Sequence, residues 1–419
     1  MTIFLRAIFF AALLSAPTLA QFRRPFLMST TGSIANPGQT PLYQQNPAFF
    51  PLSAINEDVD VVTVFPEHLG FPVDLFLASP TPSPTHPWTL EIQKLANAAK
   101  ATGKPIALQL ALSRDYMVSK AYAENGALKL DRTWAPRCYD LSSPLGQYIS
   151  NAYLNMLRWL STLFQPKYVV TMAEINSFYT LCGRESSGWT AMVAVAQAAY
   201  DAVKATLPSA IVFPTFQLEQ LYSNSLHGFD APQYNALAVL KRDRFGVSTY
   251  PAGVAPNPYL LPADYLTRTK VRFPQEKRIY IAETGWNTVN IAVTVNNSCI
   301  PNLTYTTETF AADYLRFLLY YAYVENFEMV TWWSDRDLIE RAPMTTCYGA
   351  LPRQAPSCSG DAWCLAMADY QADYAAFWTP TEAEFIFKVF GSMGLRTYSG
   401  TPKLEPMFWW KTFQTMPLL

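Results

Sequence analysis

Two glutamates, Glu174 and Glu283, each close a short apolar run: Tyr168-Val169-Val170-Thr171-Met172-Ala173 leads into the first, and Ile279-Tyr280-Ile281-Ala282 into the second. A carboxylate at the end of a buried strand loses hydration at a cost of several kcal/mol unless specific donors replace it. Each is therefore either a satisfied strand-end acid or a group placed there to react. As a pair they suit one chemistry. Cleavage of a glycosidic bond uses one carboxyl group to protonate the departing oxygen and a second to stabilise or attack the anomeric carbon as oxocarbenium character develops. Sequence order alone leaves open which glutamate takes which role. Other groups at comparable strand ends could bind hydroxyls or stack on a sugar ring: Glu67, His68, Gln109, Asn176, Gln217, Tyr250, Trp286 and Trp333. Each has a bland alternative as a structural hydrogen-bonder or a core aromatic.

The elements that would position these residues alternate along the chain. Short continuous apolar runs over 25–30, 60–65, 106–112, 168–176, 211–216, 245–251, 279–282 and 328–334 read as strands buried on both faces, which favours a parallel sheet. Between them lie stretches of helical spacing. In 88–101, Trp88, Ile92, Leu95 and Ala99 share one face and Gly103 is the stop. In 145–163, Leu145, Tyr148, Ile149, Ala152, Met156 and Leu160 keep the 3.6 period behind a Ser-Ser-Pro start. Further helices are expected over 188–205 and 307–325 and near the C-terminus. Eight strands separated mostly by helices, with polar residues gathered where the strands end, predict α/β architecture: a single (β/α)8 TIM barrel with extended, disulfide-braced βα loops. No linker or repeat divides 21–419, so one barrel domain is expected across it.

Composition removes several classes of function. With 31 basic and 32 acidic residues the formal net charge is -1, too small to steer nucleic acid or an anionic membrane to the surface. The three histidines (His68, His86, His227) are scattered and no CxxC pair occurs, so no metal and no cofactor is expected. Arg6, the apolar stretch from Ala7 to Leu14 and the small residues before Gln21 have the form of a signal peptide over 1–20. Together with the lack of a later spanning segment, this predicts a secreted protein without a membrane anchor, acting as a monomer. Six cysteines after that leader fit an oxidising compartment. Pairing Cys138 with Cys182, Cys299 with Cys347 and Cys358 with Cys364 is one of fifteen connectivities. Asn296 and Asn302 stand in glycosylation acceptor triplets.

The segments 168–176, 246–251, 279–286 and 331–334 together resemble the retaining glycoside hydrolases of clan A, with a distant similarity to endo-β-1,4-galactanases. The resemblance implies a carbohydrate substrate, Glu174 as acid/base and Glu283 as nucleophile. It gives Tyr250 the place of the aromatic that hydrogen-bonds the nucleophile, and Trp333 that of the tryptophan flooring the pocket. One position departs: Ala173 stands where the clan has an asparagine that binds the sugar's 2-hydroxyl, with Asn176 two residues after the glutamate. The expectation is a secreted, endo-acting retaining β-glycosidase with its two carboxyl groups about 5 Å apart. The alternative, raised by Ala173, is a non-catalytic barrel that binds carbohydrate.

Overall fold

A computed structural model describes residues 22–31, 57–66, 71–77, 79–112, 118–124, 127–131, 140–182, 187–295, 298–304, 306–338 and 388–419. The barrel strands are β1 (Leu27–Thr30), β2 (Val62–Val64), β3 (Ile106–Gln109), β4 (Tyr168–Val170), β5 in two segments (Ile211–Phe213 and Thr215–Gln217), β6 (Phe245–Thr249), β7 (Ile279–Thr284) and β8 (Met329–Trp332). Each pairs in parallel with the next from β2 through to β8, and β8 pairs in parallel with β1. Pro214, which has no N–H to give, breaks β5 into its two segments. Between β1 and β2 the ring is joined by the Asp60 N–H donating to the Met28 carbonyl at 2.8 Å and by Ser29 Oγ meeting Thr63 Oγ1 at 2.7 Å. The protein is a TIM barrel.

The strands are apolar throughout because their two faces meet two different cores. Inward residues (Ala107, Tyr168, Val170, Phe213, Tyr280, Ala282, Met329) fill the lumen, while Leu108, Val169, Val212, Ile279, Ile281 and Val330 pack outward against helices. Tyr280 is the centre of the plug, with its ring 4.6 Å from Phe213 and 5.5 Å from Tyr168. Truncating it to alanine would leave a cavity costing about 3–5 kcal/mol. Gly246 lets β6 lie against β5, since a Cβ there would come within 2.7 Å of the Phe213 ring.

Around the barrel run α1 (Pro87–Ala101), α2 (Pro144–Phe164), α3 (Ile175–Cys182), α4 (Ser187–Thr206) and α5 (Leu218–Leu221), then α6 (Ala231–Ala238), α7 (Glu308–Val324) and α8 (Leu404–Gln414). Their limits follow from local chemistry. In α2 the Ser143 hydroxyl accepts from the Gly146 N–H, Pro144 sits in the first turn, and Gln165 in the left-handed region followed by Pro166 ends the helix. Trp88 of α1 is buried edge-on to Phe76. Two antiparallel strand pairs, Val118–Glu124 with Ala127–Asp131 and Ile291–Val295 with Ser298–Thr304, extend the βα loops and were not read from the sequence.

Two expectations change in detail. The fourth strand stops at Val170, and Ile175 already belongs to α3, so the run 168–176 holds a strand, a turn and a helix start. Cys182 is disulfide-bonded, but the other five cysteines' side chains, and so the expected pairing, lie outside what is described. The leader expected over 1–20 also lies outside the described residues. Among those residues no helix is long and apolar enough to cross a membrane.

Candidate active site

Strict alternation along β7 would send Glu283 the wrong way. Ile279 and Ile281 face outward, and Tyr280 and Ala282 inward, so position 283 should point into the helical layer. A bulge intervenes. Against β6, Val247 opposes Ile281 while the next residue, Ser248, opposes Glu283, and against β8 three steps of β7 are matched by two. The extra residue turns Glu283 to the same side as Ala282 and returns Thr284 outward, where its hydroxyl meets that of Tyr314. Glu283 therefore faces the lumen at the C-terminal end of the barrel, where the βα loops of such folds build their sites.

Glu283 is 5% exposed, and both its oxygens are held by neutral donors. Gln109, ending β3 on the far side of the mouth, donates through Nε2 to Oε1, and Tyr250, just past β6, donates through its hydroxyl to Oε2 at 2.9 Å. Burial pushes the Glu283 carboxyl up to about 7, and the two hydrogen bonds work in the opposite direction by favouring the anion. Two donors on two oxygens favour the carboxylate form, because the hydroxyl oxygen of a protonated carboxyl group is a weaker acceptor than a carboxylate oxygen.

Tyr250 is itself held by a residue that sequence reading missed. Glu219, buried in the first turn of α5, accepts from the Tyr250 backbone N–H at 2.9 Å, from Thr249 Oγ1 at 2.6 Å and from the Tyr265 hydroxyl at 2.6 Å. Burial raises its pKa, against the pull of these donors. The only signal in the sequence was an acid two residues beyond a strand-end glutamine, which is also the signature of an ordinary helix first turn.

Glu174 lies on the same rim. The Ala173 N–H donates to the Leu110 carbonyl at 2.8 Å and the Glu174 N–H to Thr215 Oγ1 at 2.9 Å, which fixes this turn between the ends of β3 and β5. Gln109 pairs with Val170 in the same register, so the strand that reaches Glu283 adjoins the one that carries Glu174. Glu174 adopts φ 50°, a left-handed conformation that costs a non-glycine residue roughly 1 kcal/mol or more and that clusters at functional sites.

The mouth has aromatic walls. Trp333, half-buried, packs edge-on to Phe65 at 6.4 Å and Phe390 at 5.7 Å, and Phe390 stands edge-on to the Tyr250 ring at 4.8 Å. Phe390 was not foreseen, because nothing in the sequence ties position 390 to a strand end. It is brought in by the C-terminal segment: Asn287 Nδ2 donates to the Lys388 carbonyl at 3.3 Å, Trp332 Nε1 to the Met393 carbonyl at 2.7 Å, and Lys388 Nζ to the Ala292 carbonyl at 2.9 Å. Gly285 permits this approach, as a Cβ there would lie 2.7 Å from Met393 Sδ.

Three expected contacts are not available in this geometry. Trp286 is 0% exposed and packs 5.3 Å from Tyr314 of α7, because the residues after the bulge resume an outward path; it is core and not a sugar platform. Asn176, also 0% exposed, lies in the first turn of α3 and is rotated beneath β5. There it brackets the Gln217 backbone, donating to its carbonyl at 2.8 Å and accepting from its N–H at 2.7 Å. Gln217 caps α5, its Oε1 accepting from the Gln220 N–H and its Nε2 donating to Glu219. Asp335, just past β8, is buried with neither oxygen hydrogen-bonded, and burial pushes it up to about 6. Glu67 and His68 lie outside the described residues. Among the described residues no cluster of His, Cys, Asp or Glu is arranged to hold a metal ion.

No protein-family model and no curated protein matches the sequence. Solved structures do share the fold. A GH5_18 protein from Streptomyces cattleya in complex with Manb1-4GlcNAc superposes with a TM-score of 0.55 at 12% identity, over 94% of this chain and 83% of its own. An exo-beta-1,4-mannosidase from Opitutaceae bacterium strain TAV5 gives 0.52 at 13% identity, covering 95% of this chain and 62% of its own. Xylanase 10B from Thermotoga maritima gives 0.52 at 12% identity, covering 95% and 96%. At such identities the likeness speaks for the barrel.

Proposed function

We propose that this barrel is a retaining β-glycosidase, secreted and endo-acting on a β-linked polysaccharide or oligosaccharide. The observation that carries the reading is the hydrogen bond from Gln109 to Glu283 across the mouth, which gives the β7 carboxylate a lumen-facing position on the rim that also bears Glu174. In this reading Glu283, as the anion that Tyr250 and Gln109 are arranged to hold, attacks the anomeric carbon. Glu174 gives its proton to the departing oxygen, and the bond from that oxygen to the anomeric carbon breaks. Glu174 then takes a proton from water, the water oxygen bonds to the anomeric carbon, and the ester to Glu283 is released. The double inversion requires carboxyl groups about 5–5.5 Å apart. The leader over 1–20 and the even cysteine count support export, and the barrel neighbours named for β-1,4-mannoside and xylan chemistry support a β-linked substrate.

The test is incubation with a panel of β-linked polysaccharides, product sizing, and proton NMR of the first anomer released. Retention of the β anomer is expected, together with loss of turnover in Glu283→Gln. An inverted first product, or near-normal turnover in that variant, would reject the mechanism. Oligosaccharide binding without hydrolysis would make the protein the carbohydrate-binding barrel that Ala173 first raised as an alternative.

A further inference from the structure

The geometry points to Gln109 as a bridge between nucleophile and substrate: its Nε2 stays on Glu283 Oε1 while its Oε1 accepts a hydrogen bond from the hydroxyl on the carbon next to the anomeric centre. The inference rests on the glycosidase reading and adds to it the residue that reads C2. Gln109 is 1% exposed, and of its amide only the nitrogen is engaged; Oε1 has no hydrogen-bond partner. The amide cannot simply be turned over, because Glu283 as a carboxylate offers only acceptors, so the nitrogen must face it and the oxygen must face elsewhere. A buried amide oxygen without a donor costs free energy that a sugar hydroxyl arriving at the site would recover.

Position argues for the C2 hydroxyl. An atom hydrogen-bonded to the attacking carboxylate lies within a few bonds' length of the carbon that carboxylate attacks, and the ring hydroxyl nearest that carbon is the one at C2. Two other amides nearby also have an oxygen without a partner, but Gln220 is held on α5 by its bond to Ser177 and Asn287 is turned to the Lys388 and Val389 carbonyls, away from Glu283. Position 173 carries only the methyl of Ala173, packed in the lumen, and both ends of the Asn176 amide are used on the Gln217 backbone and Gln233. The Gln217 amide is likewise spent on Gln220 and Glu219. Gln109 is thus the lumen-facing amide among the described residues with an acceptor to spare. A contact to this hydroxyl tightens as the oxocarbenium ion forms, so its effect should fall on the rate of the first bond-breaking step.

The experiment compares kcat/KM for the 4-nitrophenyl β-glycoside of the sugar identified by the polysaccharide panel with that for its 2-deoxy counterpart, in the wild-type protein, Gln109→Met and Gln109→Asn. The wild type should prefer the hydroxylated substrate, and in Gln109→Met that preference should fall by roughly a hundredfold, because the parent glycoside loses a contact the 2-deoxy substrate never had. Gln109→Asn, which keeps an amide but withdraws it by one methylene, should lie between, and supplies the reading if the methionine variant does not fold. A parallel loss on both substrates, leaving the preference unchanged, would overturn the bridge and leave Gln109 as a support for Glu283 alone. Failure of the wild type to hydrolyse either glycoside or any polysaccharide of the panel would instead overturn the glycosidase reading, and the bridge with it.

Discussion

Two groups of acids, one at each end of the barrel, are held in opposite ways. At the end where the strands begin, carboxylates meet cations. Glu328 accepts from Arg244 at 2.8 Å, lies 2.9 Å from Arg278 and accepts from the Tyr168 hydroxyl at 2.8 Å; Glu276 pairs with Arg242; and Asp243 lies 2.6 Å from Lys204. There burial pushes upward, but the hydrogen bonds and cations together outweigh it, and both Glu328 and Asp243 are held below the ordinary carboxylate range. At the end where the strands finish, the donors that hold Glu283 and Glu219 are neutral, and burial prevails, with Glu283 at about 7. A cation beside an acid fixes its charge, whereas hydrogen bonds from amide and phenol groups leave it free to change protonation state or form a bond at modest cost. The first arrangement suits a fastener and the second a reactive group.

Exchanging one acid from each end should break this comparison most visibly. Glu283→Gln should lower turnover by a factor on the order of 10⁵. It should also stabilise the fold in neutral and alkaline buffer by up to about 3 kcal/mol, measured as a rise in Tm. The sign follows from linkage. A carboxyl group raised from 4.5 to about 7 keeps its proton in the folded state after the unfolded state has lost it, so stability falls as pH rises between those values, and the amide removes that fall. Glu328→Gln should do the reverse, costing about 1–3 kcal/mol near neutral pH by stranding two arginines, with activity per folded molecule intact. Because Glu328 is depressed, its contribution in the wild type is present above the unfolded carboxylate pKa and disappears as pH falls through the lower folded value.

Tyr250→Phe sharpens the same contrast within the site. It removes one of the two donors that favour the Glu283 anion, so the acid limb of the kcat/KM profile, expected near pH 7 in the wild type, should move to higher pH. Activity on the plateau should fall roughly a hundredfold. A profile unchanged in both respects would separate Tyr250 from the reacting carboxylate. The smallest effect is expected for Phe390→Ala, which takes one aromatic wall from the mouth. KM should rise by about tenfold with kcat little altered, since a wall contacts bound sugar similarly before and during reaction.

Most of the scaffold could be read before any coordinates. Short apolar runs between helices of regular 3.6 spacing can satisfy their backbone groups and bury both faces in few ways, and the eight strand positions emerged within a few residues. Strand-end placement of Gln109, Tyr250, Glu283 and Trp333 was likewise legible. Elsewhere the rule failed for a local reason. Trp286 and Asn176 sit beside the glutamates in sequence, but the turn after β7 and the first turn of α3 rotate them into packed layers. Glu219 and Phe390 reach the site through contacts to residues distant in the chain, which periodicity does not register.

What the sequence determined by itself is the alternation of strand and helix, and the placing of acids where strands stop, because both are written in the order of apolar and polar side chains. Which way Glu283 faces was decided only in three dimensions. Period-two alternation sends it outward, and one extra residue in the pairing of β7 with both neighbours brings it into the lumen beside Gln109 and Tyr250. A bulge is a property of the hydrogen-bond ladder between strands, and that ladder exists only once the barrel has formed.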